Sequence, residues 1–275
     1  LQLTLDSAEM ALTCAEAGAH LGVVFPILIE LDTDGHRAGV DPRSEDLVHL
    51  GHVLHESTNT QLLGVMTHAG ESYACHTLAT QRAMARQERD LSLLAARRLA
   101  QAGLPCPVVS VGSTPTAFAI DDLAGVTEVR AGVYTFFDLV MAGLGVCAPQ
   151  DIALSVLVSV NGHQKQRNWL ITDGGWMAMS RDRGTAGQPQ DQGYGLVLDA
   201  AGQPFEDLIV KDANQEHGII TRRDGHDPLP WDRLPVGTLL RVLPNHACAT
   251  AGQYDGYVVV DGEALVGRWD RINGW

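Results

Sequence analysis

The sequence predicts an α/β domain followed by an all-β domain, and three observations carry that prediction. Through about residue 145, short apolar runs alternate with helical patterns, which is the grammar of βα units. From about residue 150 the apolar runs are short and separated by Gly-, Asp- and Pro-containing turns, with no helical pattern between them. At 275 residues the chain has room for both parts, since single domains usually run to about 100–200 residues. The expected domains are therefore 1–150 and 151–275.

The first domain is read element by element. Residues 1–5 predict a strand, and Ser7 is placed to cap a helix over 8–17. Residues 23–31 are apolar throughout, as expected of a strand buried on both faces. A polar turn over 32–39 leads to a helix around 44–56, and residues 62–67 form a third strand. A long alanine- and arginine-rich helix follows over 77–102, then strands at 108–111 and 127–133 joined through the turn 112–116. Beyond residue 150, strands are expected at 153–160, 169–172, 195–198, 208–210, 218–221, 239–243 and 257–260. No helix is expected among them.

Composition narrows the class. Hydrophobic residues make up 45% of the chain and charged residues 19%, as in an ordinary soluble globular protein. The formal charge of −14 argues against nucleic acid, because phosphate backbones are bound by clustered Lys and Arg. Of nineteen basic residues only Lys165 and Lys211 are lysines. No apolar run of about eighteen residues appears, so no membrane span is expected. Five dispersed cysteines suit reduced thiols in the cytoplasm better than a disulfide framework.

Ligands of βα folds sit at the carboxyl ends of the strands, and four expected strand ends carry unusual residues. They are Asp32-Thr-Asp-Gly-His-Arg37, Thr67-His68-Ala-Gly70-Glu-Ser-Tyr73, Gly112-Ser113-Thr114-Pro115-Thr116 and Ala131-Gly132-Val133-Tyr134. Glycine-bearing turns beside hydroxyls expose backbone N–H groups able to cradle a phosphate. Singly, each such turn is more often a plain loop, an arginine such as Arg37 is usually a solvated cation, and a histidine such as His68 is more often structural than a ligand. A further constellation is Leu243-Pro244-Asn245-His246-Ala247-Cys248. If this segment is a strand, His246 and Cys248 share a face, and imidazole with thiolate suits Zn²⁺ or a similar divalent metal. Two protein ligands leave coordination positions open, as catalytic metals require.

Taken in order, Glu30-Leu-Asp-Thr-Asp-Gly-His-Arg37, Thr67-His-Ala-Gly-Glu-Ser-Tyr73, Val109-Ser-Val-Gly-Ser-Thr-Pro-Thr116, Glu128-Val-Arg-Ala-Gly-Val-Tyr134, Asn214-Gln-Glu-His-Gly218 and Leu243-Pro-Asn-His-Ala-Cys248 form a specific series. The series resembles the D-serine dehydratase and D-threonine aldolase family, the metal-dependent branch of the alanine-racemase-like, fold-type III PLP enzymes. Trp176-Met-Ala-Met-Ser-Arg-Asp-Arg-Gly-Thr185 and the terminal Asn273-Gly-Trp275 draw the likeness toward its hydroxyaspartate-acting dehydratases. The resemblance implies part of a PLP-binding (β/α)₈ barrel followed by an antiparallel β domain, in a homodimer.

It further implies that Thr114, Gly132 and Val133 hold the pyridoxal 5'-phosphate, with Tyr73, Ser113 and Tyr134 adding contacts. Arg37 would lie near the cofactor ring or its phenolic oxygen and His68 behind the ring, while His246 and Cys248 would hold Zn²⁺ (or Mn²⁺ or Co²⁺). The implied reaction converts a D-3-hydroxy amino acid, D-threo-3-hydroxyaspartate or D-serine, to a 2-oxo acid and ammonia. D-threonine aldolase chemistry is the alternative. The family's cofactor-anchoring lysine, in an Arg-Pro-His-x-Lys-like motif, has no counterpart here. Roughly the family's first hundred residues are thus expected to be missing from this sequence, and a non-catalytic fragment is the third reading.

Overall fold

A computed structural model describes residues 2–262 and 264–272, apart from the Glu206 side chain. Leu1, at the start of the first expected strand, and Asn273-Gly-Trp275 lie outside the described residues. The chain divides into two compact units, 1–132 and 133–275.

The first unit is built on a five-stranded parallel sheet: β1 (Leu3–Leu5), β2 (Phe25–Leu31), β3 (Thr60–Thr67), β4 (Val108–Val111) and β5 (Glu128–Val129). The strands neighbour one another in sequence order, and every pairing is parallel. Their carboxyl ends therefore fall along one edge. Helices α1 (Ala8–Leu21), α2 (Glu45–Glu56), α3 (Leu78–Gln101) and α4 (Thr114–Ala119) supply the crossovers.

The helices start where capping chemistry allows. Ser7 accepts from the Met10 amide, Ser44 from Asp46, and Thr77 and Thr80 form a reciprocal capping box. Leu47, Leu50 and Leu54, spaced at helical intervals on α2, are buried with Ile27, Ile29 and Leu31 of β2 in one core. Fully burying a side chain of this size contributes about 1.5–3 kcal/mol.

Strand β5 is shorter than the expected 127–133. The Arg130 amide still donates to the Val111 carbonyl at 2.8 Å, but the chain then leaves the sheet and coils into a short 3₁₀ turn over Val133–Thr135.

In the second unit a closed barrel holds six antiparallel strands in the order β10-β7-β6-β11-β8-β9. They are β6 (Val156–Gln164), β7 (Trp169–Thr172), β8 (Gly195–Asp199), β9 (Pro204–Ala213), β10 (Gly218–Arg222) and β11 (Leu239–Pro244). Period-two alternation fills the barrel: Val156, Val158 and Val160 point inward, whereas Leu157 between them is exposed. Closure leaves no open sheet edge. A separate ribbon pairs β12 (Gly256–Asp261) with β13 (Ala264–Asp270).

The expectation of no helix beyond residue 150 is corrected. Two short helices, α6 (Trp176–Met179) and α7 (Ala247–Ala251), interrupt the strands, and α5 (Leu139–Gly143) precedes them. These helices span four or five residues, too short to leave a visible 3.6-residue period.

Candidate functional site

The parallel sheet gathers several expected residues at its carboxyl edge. After β3, the His68 Nδ1 lies 3.3 Å from the Gly112 carbonyl, and its ring centroid is 6.3 Å from that of Tyr73. The Ser72 and Ser113 hydroxyls, both buried, meet at 2.8 Å and tie the ends of β3 and β4 together. Arg37, after β2, is more than half exposed and lies 3.6 Å from Glu30.

Burial holds His68 below its ordinary value, the Arg37 charge pushes the same way, and the Gly112 carbonyl opposes them. A neutral imidazole between cations is thus the favoured form at neutral pH.

The turn after β4 is pinned from three sides. Ser113 caps α4 in a box with Thr116. The Gly112 amide donates to the Glu88 carboxylate at 2.8 Å, and the Ala69 amide donates to the same oxygen at 3.3 Å. Gly112 has φ +132°, and a side chain there would bring its Cβ to 2.1 Å from the Arg130 carbonyl; only glycine fits. Inside this rigid turn the Thr114 hydroxyl is buried without a hydrogen-bond partner. An orphaned buried hydroxyl is uncommon, and it fits a phosphate oxygen as its missing acceptor. At Gly132 a Cβ would meet nothing within 4 Å, so this backbone borders open space.

Two residues of this edge escaped the sequence reading. Arg130, at the end of β5, donates to Ser110 at 2.8 Å and to the Thr67 carbonyl, adding a partly buried cation close to His68. The strand-end rule applied to β5 would have found it. Glu88, inside α3, has no comparable sequence mark, because its role depends on which helix face meets the sheet.

Val133 and Tyr134 belong to the second unit, where Val133 is buried and Tyr134 exposed. So do His246 and Cys248, and here the expectation of a shared strand face is corrected. Strand β11 ends at Pro244, which has no N–H to continue the ladder. Asn245 is then drawn into a buried network: its amide nitrogen donates to the Gly193 carbonyl at 2.6 Å and to the Asp182 carbonyl at 3.2 Å. Its oxygen accepts from Thr185 at 2.9 Å. His246 follows as the N-cap of α7, and Cys248 stands in that helix. Buried Asp138 accepts the amides of Ala247 and Met141, each at 2.9 Å, fixing the start of α7 against α5.

The two side chains nevertheless remain partners. His246 is pushed up to about 10, first by its hydrogen bond to Asp182 and then by one to Cys248. Its Nδ1 lies 2.6 Å from the Asp182 Oδ2. A histidine ligand commonly carries a carboxylate on the nitrogen that does not bind metal, so the donor set fits a late divalent cation. Among the described residues no group of three or more His, Cys, Asp or Glu forms a closed metal cage.

The arginines flanking Asp182 are engaged elsewhere. Arg183 pairs with Asp191 at 2.7 Å and stacks on Tyr194, and Arg181 stacks on Trp176. Neither Lys165 nor Lys211 belongs to the parallel sheet: Lys165 sits in the turn after β6, above the Trp231 ring, and Lys211 lies in β9.

A parallel βα unit with a glycine–hydroxyl cradle at its carboxyl edge, joined to an antiparallel barrel carrying a His–Cys pair, defines a class. Residues 1–140 match the model of the alanine racemase N-terminal domain, and residues 153–260 match that of the putative serine dehydratase domain. The chain belongs to the alanine-racemase-like family of PLP enzymes, in its D-serine dehydratase branch.

Within that family it is 52% identical to D-threo-3-hydroxyaspartate dehydratase of Delftia sp. strain HT23, over all of this chain and 73% of that one. It is 29% identical to D-serine dehydratase of Dictyostelium discoideum, over 87% of this chain and 62% of the relative. D-threonine aldolase of Arthrobacter sp. is more distant, at 24% identity over 98% of this chain and 66% of the aldolase. The chain thus spans 62–73% of the length of these relatives.

Two solved variants of D-threo-3-hydroxyaspartate dehydratase superpose with a TM-score of 0.95 at 51% identity. Each is matched over all of this chain, and over 73% and 71% of its own length. One replaces a cysteine by alanine and is in the metal-free form; the other replaces a histidine two positions earlier.

Proposed function

We propose that this chain supplies cofactor- and metal-binding parts of a lyase converting a D-3-hydroxy amino acid to a 2-oxo acid and ammonia. D-threo-3-hydroxyaspartate is its first substrate and D-serine its second. The observation that carries the reading is the His246–Cys248 pair with Asp182 behind the imidazole. A racemase only exchanges a proton at Cα and has no task for a metal. Expelling a β-hydroxyl does have one, because hydroxide is a poor leaving group. The same histidine–x–cysteine interval separates the residues replaced in the two dehydratase variants, which supports the pair as the ligands. Zn²⁺ suits imidazole and thiolate best, with Mn²⁺ or Co²⁺ as substitutes. The bound cation would polarise the leaving hydroxyl as a Lewis acid.

PLP, when bound, supplies the electron sink for negative charge at Cα. Thr114, Ser113, Gly132 and Val133 are the proposed phosphate residues, with contacts from Tyr73 and Tyr134; the partnerless Thr114 hydroxyl supports this assignment. Arg37 and neutral His68 are the proposed ring-side residues. His68 would pack behind the ring without adding a charge, while Arg37 would keep the phenolic oxygen anionic. The lysine that anchors PLP is not assigned to either lysine of this chain.

The homodimer belongs to the same proposal, as does a reducing, cytoplasmic setting, which five free cysteines support. Among the described residues no helix is long and apolar enough to cross a membrane.

The test is an assay of the protein carrying this chain, loaded with PLP and Zn²⁺, on D-threo-3-hydroxyaspartate, D-serine and D-threonine. The expected products are oxaloacetate and ammonia from the first and pyruvate and ammonia from the second. Glycine and an aldehyde as the main products would instead make it an aldolase.

A further inference from the structure

We propose that Asp182 is a positioning residue for metal binding, selecting the His246 tautomer whose Nε2 lone pair is available beside Cys248. This inference rests on the metal reading above and deepens it.

The Asp182 Oδ2 lies 2.6 Å from the His246 Nδ1, whereas 64 residues separate the two in sequence. Both side chains are about one third exposed. An ion pair that water still reaches contributes little to stability, so stability alone is a weak reason for such a close contact. Orientation is a better one, because the contact belongs to a closed ring of constraints. The amide of Asn245, next to His246, donates back to the Asp182 main-chain carbonyl at 3.2 Å. That same amide is anchored on Gly193, and the Asn245 oxygen takes a hydrogen bond from Thr185. The Asp182 amide in turn donates to the Ser180 hydroxyl at 3.2 Å. Backbone and side chain of Asp182 thus hold the two ends of the Asn245–His246 dipeptide, and the imidazole has little freedom to rotate.

The chemistry follows from this geometry. A carboxylate on Nδ1 keeps a proton there, so the nitrogen that gives up its proton to a metal is Nε2. The carboxylate also raises the basicity of that nitrogen, strengthening the bond to a cation. The neighbouring arginines do not compete for the carboxylate, since Arg183 is held by Asp191 and Arg181 stacks on Trp176.

The test measures metal directly. Zn²⁺ and Co²⁺ affinities are determined by chelator competition on the protein carrying this chain, for wild type, Asp182→Asn, Asp182→Ala, His246→Ala and Cys248→Ala. Thermal melts accompany each variant, and the visible spectrum of the Co²⁺ form reports the thiolate ligand. Replacing such an outer partner typically weakens binding about 10–100-fold. Asp182→Asn is expected near the lower bound and Asp182→Ala near the upper one. Both should keep one metal per chain and an unchanged Co²⁺–thiolate band at saturation, while His246→Ala and Cys248→Ala lose the wild-type site.

If both Asp182 variants bind as wild type while His246→Ala does not, the positioning role is wrong and the metal reading stands. If Asp182→Asn alters the Co²⁺ spectrum at saturation, Asp182 is a ligand and the positioning role again fails. If His246→Ala and Cys248→Ala both keep wild-type affinity, the metal reading itself fails, and the inference with it.

Discussion

At the scale of single residues, the cradle is marked by two polar groups that the protein alone leaves incompletely satisfied. The Thr114 hydroxyl and the Glu88 Oε2 are buried without hydrogen-bond partners. For Thr114 the proposed missing partner is the cofactor phosphate. Thr114→Val removes the orphan while keeping the shape, so the melting temperature of the cofactor-free protein should be unchanged or slightly higher. PLP affinity, followed by fluorescence titration, should fall by about 10–150-fold, the loss of roughly 1.5–3 kcal/mol from one hydrogen bond to a charged phosphate. Unchanged affinity would remove Thr114 from the phosphate site.

Glu88 tests a different point. Burial pushes its carboxyl above the ordinary value, against the Gly112 and Ala69 amides and the Thr116 hydroxyl, which favour the anion. A carboxyl raised in the folded state stabilises the fold fully below its ordinary value of 4.5, and that contribution is lost as pH rises through the raised value. Denaturant melts from pH 4 upward should therefore show wild type losing stability relative to Glu88→Gln, which keeps an acceptor and cannot ionise. Glu88→Ala should cost about 1–3 kcal/mol for each buried amide left without an acceptor. A pH-independent difference between wild type and Glu88→Gln would place the Glu88 titration outside this range.

At the scale of elements, legibility follows how local the determinants are. Strand β4 is read residue for residue at Val108–Val111, and the Ser7 cap is read correctly, because both depend on neighbours in sequence. The edge of the parallel sheet was equally legible: Arg37, His68 and Ser113 all fall at strand ends. The proximity of His246 and Cys248 was legible in the sequence, but its geometry was not. The turn into α7 is set by Asp138, 109 residues away, and by the Asn245 network, and no local pattern announces either. The contact of Asp182 with His246, across 64 residues, was hidden for the same reason.

Gly112 shows how tightly an element junction can depend on one residue. Gly112→Ala would force a Cβ onto the Arg130 carbonyl in a backbone conformation closed to other residues. The β4–α4 turn would have to move, at a cost of about 2 kcal/mol or more in stability and with loss of PLP binding. Equilibrium unfolding and cofactor titration read the two effects separately. A variant as stable as wild type would show that the turn tolerates the shift.

At the scale of the whole molecule, the chain separates two tasks. The parallel unit carries a hydroxyl–glycine cradle with cations at its edge, and the barrel unit carries the proposed metal pair. What neither unit provides is a lysine at a parallel strand end. With a net charge of −14 and only two lysines, the candidates for covalent cofactor attachment within this chain are few enough to test completely. Lys165 stands in a turn over Trp231, and Lys211 is exposed in β9 of the closed barrel. Neither environment is buried, and neither belongs to the sheet edge that carries His68 and the turn over 112–114. Arginine keeps the charge at both positions but cannot form the cofactor imine. Lys165→Arg, Lys211→Arg and the double variant should therefore retain PLP content and turnover within about twofold, the range of a surface substitution of up to about 0.5 kcal/mol. Borohydride reduction followed by peptide mapping supplies the direct readout, since the cofactor label should appear on neither peptide. A label on Lys165 or Lys211, lost together with activity in the matching arginine variant, would move the covalent anchor into the barrel unit and overturn the assignment of the cofactor to the parallel sheet's edge.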